Sequence, residues 1–205
     1  MNSSNKKDRL IESAAVLFHR NGLTATSLAD IAKHSDIPIG NVYYYFKTKD
    51  ELALATLLKR REHFIAEYTL FSENIDNPRQ RLIEAANYYY KMRDDYTKYG
   101  CPVGKIINDT DPEKEQIAQA ASLIFADFVA WAGAQFEELG HKQNATQYAI
   151  SLMSGIQGAT IMAKTFQNQQ ILSTEIARLI EWLESIPNRK IQLGKFANIQ
   201  ISENI

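Results

Sequence analysis

The sequence predicts an all-α protein, and three observations point that way. Apolar residues recur at helical spacing through most of the 205 residues. The breaks between those runs are built from Gly, Pro and side chains that cap helix ends. No segment shows the period-two alternation, bounded by turn residues, that paired strands need. With 45% hydrophobic and 23% charged residues the composition is that of an ordinary globular chain, which excludes a disordered, collagenous or disulfide-scaffold protein.

The elements follow in order. Leu10, Ile11, Ala14, Ala15, Leu17 and Phe18 make one apolar face of a first helix over about 6–21, stopped at Asn21-Gly22. Thr26 and Ser27 offer capping oxygens, and Asp30 a first-turn carboxylate, for a two-turn helix ending at Lys33 or His34. In Ser35-Asp36-Ile37-Pro38 the aspartate suits a left-handed turn, and the proline opens a third short helix to about Tyr45. Thr48 with Glu51 three positions on starts a long helix to Tyr68 or Phe71. Pro78 starts a fifth helix, read as continuous through Tyr88-Tyr89-Tyr90 to about Tyr96.

Gly100-Cys101-Pro102-Val103-Gly104 breaks the pattern before a short helix from Pro102 to Asn108. Asp109-Thr110-Asp111-Pro112 then caps a long apolar helix from Pro112 to Leu139, ended by Gly140. Gln119, Ser122, Asp127 and Gln135 interrupt its apolar surface, so it reads as a buried core helix and not as a membrane span. Two more helices follow, over about 143–166 and through the Ile176, Leu179, Ile180, Leu183 stripe to Pro187. Residues 188–205 have no clear period and read as a tail. The division is therefore 1–50, 51–187 and a tail at 188–205.

Charge separates the first two parts. Residues 1–60 hold nine basic and six acidic side chains, a balance of +3, so the remainder carries −4 of the net −1. A basic head on an acidic body suits a polyanionic partner for the head. The single cysteine, Cys101, cannot form an internal bridge, and the N-terminus has no apolar leader core, so a reducing, cytoplasmic setting is the economical expectation.

Two short helices joined by a tight turn, the second opened by Pro38, form a helix-turn-helix pattern whose second helix reads the DNA major groove. Gly40 removes a side chain where that helix would press on the duplex. Asn41 can pair with an adenine edge and Ile39 can meet a thymine methyl. Tyr43, Tyr44 and Tyr45 offer hydroxyls to phosphates, Lys49 offers charge, and Thr26, Ser27 and Pro38 sit where the two helices begin. Val42, Phe46 and Ile31 read as core of the same unit. The residues Gly22-Leu-Thr-Ala-Thr-Ser-Leu-Ala-Asp-Ile-Ala32 and Ile37-Pro-Ile-Gly-Asn-Val-Tyr-Tyr-Tyr-Phe-Lys-Thr-Lys49 resemble the signature of TetR-type transcriptional regulators, over about 6–55. One departure is Asp36, where the family usually carries Gly; a small stability cost is expected there.

The resemblance implies a DNA-binding regulator, usually a repressor, with an all-helical C-terminal half that encloses an effector pocket and dimerises through its last two long helices. The partners implied are a double-stranded DNA operator, a small-molecule effector and a second copy of the chain, with no cofactor and no membrane. The small residues Gly155, Gly158 and Ala159 and the stripe Ile176, Leu179, Ile180 and Leu183 are the expected dimer interface. Dimerisation also has a physical motive: two reading heads on half-sites about 34–36 Å apart multiply the specificity of one. Tyr88, Tyr89, Met92, Phe125, Phe128, Trp131, Met153, Met162 and Phe166 are the apolar and aromatic candidates for the pocket.

Cys101, at the start of a short helix with Lys98 and Lys105 nearby, is a candidate redox or electrophile sensor, with its thiol pKa expected to be lowered. The expected mechanism is a shift of the Pro102–Asn108 helix against the long helix that begins at Thr48, which alters half-site spacing.

Other chemistries fit less well. Gly100 to Ile106 superficially resembles a phosphate loop, but the glycines are too close and no Ser or Thr follows Lys105. His19, His34, His63 and His141 are scattered without metal-ligand spacing. Asp94, Asp95, Asp109 and Asp111 flank loop ends, where capping explains them better than acid–base work. A helical enzyme or small-molecule carrier with a merely structural N-terminal motif stays as the alternative. A nonspecific DNA compactor would need far more than +3 in its head.

Overall fold

The computed structural model describes residues 3–111 and 113–188, and among these it contains ten α-helices and no strand. Helix α1 (Ser3–Asn21) turns Leu10, Ile11, Ala14 and Phe18 inward. It ends where Gly22, at φ +94°, lends its N–H to Phe18 O, a conformation that costs glycine nothing and other residues much. Helix α2 (Leu28–Ser35) opens with a reciprocal cap: the Asp30 amide donates to Ser27 Oγ at 3.1 Å and the Ser27 amide donates to Asp30 Oδ2 at 2.9 Å. Asp36 takes the left-handed conformation the sequence anticipates, at φ 52°. Pro38 then stands before α3 (Ile39–Tyr45). Leu10, Phe18, Ile31, Val42 and Phe46 close this three-helix unit around one buried centre.

Helix α4 (Lys49–Asn74) starts on the Thr48 cap, which accepts the Glu51 amide, and runs past Phe71 to Asn74. At 1.5 Å per residue it is about 39 Å long. It carries the head on one end and packs along α8 on the other, where Arg61 grips Asp127 with two hydrogen bonds of 2.6 and 3.1 Å. The expected fifth helix is two. It runs from Pro78 to Lys91 (α5), breaks at Met92, and resumes from Arg93 to Tyr99 (α6). The Met92 amide is shared between Tyr88 O and Tyr90 O, so the break needs neither Gly nor Pro. Helix α7 (Pro102–Asp109) follows Gly100, at φ +84°.

Helix α8 (Glu115–Glu138) begins later than Pro112, which itself falls outside the described residues. The Asp111 side chain accepts the Glu113 amide in a turn, and Glu115 is the first helical residue. This is the one helix among the described residues long and apolar enough to cross a membrane by length and composition. It serves as the central core helix, burying Ile124, Phe128 and Phe136 against α4, α5, α7 and the next helix, α9 (Ala145–Phe166). Gln167 at φ 49° turns the chain into α10 (Gln169–Ser185), which packs on α9 and α5. The Arg79 guanidinium closes the end of α10, donating to the carbonyls of Leu183, Glu184 and Ile186 and to the Asn188 side chain. Of the tail, only Asn188 lies within the described residues.

Candidate nucleic-acid interface

Helix α3 divides its residues between a buried and a bare face. Val42 is fully enclosed, whereas Ile39, Tyr43 and Tyr44 are 42%, 50% and 75% exposed. Pro38 and Gly40 lie on the same open side, and Asn41 and Tyr45 are half-buried at its margin. A Cβ added to Gly40 would meet nothing within 4 Å. Packing inside the protomer therefore gives no reason for glycine there, although glycine weakens a helix by about 1 kcal/mol relative to alanine. Tyr44 and Tyr45 meet edge to face with ring centres 5.0 Å apart.

The first turn of α2 borders this face, and it corrects one expectation. Thr26 is 1% exposed, and its hydroxyl donates inward to Gly22 O at 2.7 Å. It is a strut of the α1–α2 turn, with no side-chain surface for a phosphate. Ser27 is exposed, with its hydroxyl engaged by Asp30 at 2.6 Å. Lys49 reaches across to donate to Thr24 O at 3.1 Å. An ammonium group has three donors, so this bond leaves two for an anion.

The predicted effector residues separate. Tyr89, Phe125 and Met153, with Tyr68, Phe64, Tyr96, Ile124 and Gln157, line a tight crevice together with Cys101, Pro102 and Val103; its free volume is about 10 Å³, room for about one water. Tyr88, Tyr89 and Phe128 share a second, equally tight crevice of about 10 Å³ with Phe64, Phe71 and Glu67. Trp131 lies behind these walls, stacked on Tyr68 at 4.8 Å, with its indole N–H given to Ser72. Met92, Met162 and Phe166 point outward and line neither crevice. Their apolarity suits a pocket, but the break at Met92 and the outer face of α9 place them on the surface. Phe64, Tyr68 and Tyr96 were passed over because nothing in the periodicity distinguishes a cavity wall from core.

Burial pushes the phenols of Tyr68, Tyr88, Tyr89 and Tyr96 above their ordinary range, so all four stay protonated. All four therefore border the two crevices as neutral phenols. Cys101 also runs opposite to expectation. Burial raises its thiol pKa, outweighing the helix-start amides of Gly104 and Val103 that favour the thiolate. Its Sγ serves as the α7 cap, accepting the Gly104 amide at 3.4 Å.

The expected dimer residues separate too. Ile176, Leu179 and Leu183 are buried within the protomer, with Ile180 half-buried beside them, and α10 packs on α9 and α5. Ala159 is buried as well, and Gly155 has Leu179 within 3.1 Å of where its Cβ would lie, so both serve the contact between α9 and α10. Of the seven only Gly158 has open space over it. The bare side of α9 instead carries Ile150, Ser154, Gly158, Ile161, Met162 and Phe166. The sequence did not separate this face from the one packed on α10, because a stripe shows that a face is buried without naming its partner.

An exposed reading helix on a three-helix head, carried by a long helix out of an all-helical body, defines a helix-turn-helix transcription regulator. Residues 10–56 match the model for bacterial regulatory proteins of the tetR family, and residues 82–177 match the C-terminal domain of LmrA/YxaF-like transcriptional regulators. The chain belongs to the TetR family. It is 26% identical over 195 residues to an uncharacterized HTH-type transcriptional regulator of Lactococcus lactis subsp. lactis, covering 90% of this chain and 96% of that one. It is 21% identical over 173 residues to the regulator LmrA of Bacillus subtilis, covering 82% and 91%. A TetR-family regulator from Agrobacterium tumefaciens, 21% identical, shares the fold with a TM-score of 0.78 over 88% of this chain and 98% of that one.

Proposed function

We propose that the chain is a cytoplasmic homodimeric repressor that holds a double-stranded DNA operator with α3 and releases it when a small molecule pries open the tight aromatic crevice. In this reading residues 1–50 are the reading head and 51–187 the effector-binding and dimerising body. The observation that carries it is the bare face of α3. Ile39, Gly40, Tyr43 and Tyr44 form a solvent-facing surface with polar tips and a missing side chain at its centre, which suits close approach to base edges and phosphates. The Asn41 amide at the margin supplies direct readout. The exposed stripe of α9, from Ile150 to Phe166, supplies the apolar area for a second copy.

The test is fluorescence anisotropy with the upstream intergenic duplex and a scrambled one, at two salt concentrations. Preferential binding that survives higher salt and is lost in Asn41→Ala supports the regulator reading. Equal, weak binding of both duplexes, unaffected by the substitution, supports a helical carrier whose N-terminal motif is only structural.

Cys101 gives the release step a second form, because its sulfur edges the crevice at the first turn of α7. Its raised pKa keeps it protonated at neutral pH, so addition to an electrophile is slow. Release of DNA by N-ethylmaleimide from the unmodified protein and not from Cys101→Ser supports that form. Release from both contradicts it.

A further inference from the structure

Helix α7 is eight residues, about 12 Å at the usual rise, and its two ends do different things. Its first turn, at Pro102 and Val103, is wall of the crevice. Two of its polar side chains, Lys105 and Asp109, reach the head. Lys105 Nζ donates to Arg20 O at 2.8 Å and to His19 O at 3.1 Å, two carbonyls in the last turn of α1, where a cation also meets the negative end of the helix dipole. Asp109 Oδ2 accepts the Thr24 amide at 3.3 Å. A fourth bond joins His19 Nε2 to Gly100 O at 2.8 Å, just before α7.

The turn between α1 and α2 is shaped for this grip. A Cβ on Gly22 would fall 2.4 Å from Asp109 Oδ2 and 3.5 Å from the Lys105 stem. Glycine there gives α7 access as well as the positive φ. The gripped turn holds the reading surface in turn: Gly22 O accepts the Thr26 hydroxyl, Thr24 O accepts Lys49, and Ser27 begins α2. The main packing partners of α7 are α1 and α8, and its first turn shares the crevice walls with Phe64 and Tyr68 of α4.

We propose that Lys105 and Asp109 are positioning residues for DNA binding: they clamp the α1–α2 turn and so convey a displacement of the α7 first turn at the crevice to the reading head. The proposal rests on the regulator reading of the chain. A short helix moves as a rigid unit, so a ligand that lifts Pro102 and Val103 withdraws both side chains from the turn together. The head then keeps its fold and loses its orientation.

The test uses the full-length dimer and a duplex selected by the unmodified protein from a random-sequence pool, with Lys105→Met, Lys105→Arg and Asp109→Ala compared. A clamp predicts about tenfold weaker binding for Lys105→Met and for Asp109→Ala, a loss within the usual range of coupling between sites. Melting temperatures stay unchanged, and Lys105→Arg retains affinity because it can still donate to the two carbonyls. The slope of log affinity against log salt also stays unchanged. A slope reduced by about one unit for Lys105→Met would mean a direct phosphate contact and would overturn the proposal. Affinities within twofold of the unmodified protein would overturn it too.

Amide hydrogen exchange without DNA gives an independent reading: Asp109→Ala speeds exchange at Thr24 while the centre of α8 is unaffected. Unchanged exchange at Thr24 removes the clamp whatever the DNA result. A pool that yields no preferred sequence removes the regulator reading, and the exchange experiment then decides the clamp alone.

Discussion

Gly40 and Asp36 are the two head residues whose identities work against local stability, and only one of them has an explanation inside the protomer. Nothing approaches Gly40, so Gly40→Ala should stabilise the free protein by about 0.5–1 kcal/mol in chemical denaturation. The same substitution should weaken DNA binding, since the added methyl would stand on the face proposed to meet the duplex. A variant that is both more stable and equally tight would remove α3 from the interface. Asp36 holds a left-handed turn without glycine. Asp36→Gly is therefore expected to gain about 1 kcal/mol, read as a higher denaturation midpoint at unchanged slope. Residues of this kind were legible in the sequence, because a turn of fixed geometry between two short helices leaves few choices. Thr26 was not, since a hydroxyl at a helix start serves a phosphate or a carbonyl equally well, and only the curl of the Gly22 turn selects the carbonyl.

At the scale of elements, capping chemistry placed the starts of α2 and α4 correctly, through Ser27 with Asp30 and Thr48 with Glu51. It failed at Met92, where the chain bends through a shared amide with no breaker residue to announce it, and at α8, which starts three residues after Pro112. The junction of α1 with the Gly100 turn makes a pH prediction. Burial, with Arg60 and Lys105 adding repulsion, lowers the pKa of His19 below its ordinary 6.5, although its bond to Gly100 opposes the shift. The unfolded chain therefore binds this proton more readily than the folded one, so the stabilising contribution is complete above about pH 6.5 and is lost as pH falls below it. The melting temperature should drop between about pH 7 and pH 5. His19→Gln, which keeps a donor for Gly100, should show a shallower drop over that window, and an identical drop would mean the group is not responsible.

For the whole molecule, the sequence identified which helices form the body and left open how the body meets its copy. The period of 3.6 revealed the Ile176, Leu179, Leu183 stripe, and the fold uses it inside one protomer, against α9 and α5. The outer stripe of α9, where Ile161 and Phe166 are 63% and 62% exposed, is the surface proposed above for a second copy. Replacing both with Asp is expected to give a folded monomer by sedimentation, with helical content retained, because neither side chain supports the protomer core. Sedimentation unchanged from the unmodified protein would move the dimer contact elsewhere. In the proposed dimer one α3 would reach only a few base pairs, and a two-fold axis would repeat it at a fixed spacing.

That spacing provides the most direct test of the account. Hydroxyl-radical footprinting of the full-length protein on its selected duplex should show two protected half-sites, centred about 10–10.5 base pairs apart or at a multiple of that distance, and related by a two-fold axis. Both should vanish together in Asn41→Ala. A single protected patch, or even protection along the duplex that persists in the variant, would contradict the picture of a dimer reading DNA with α3.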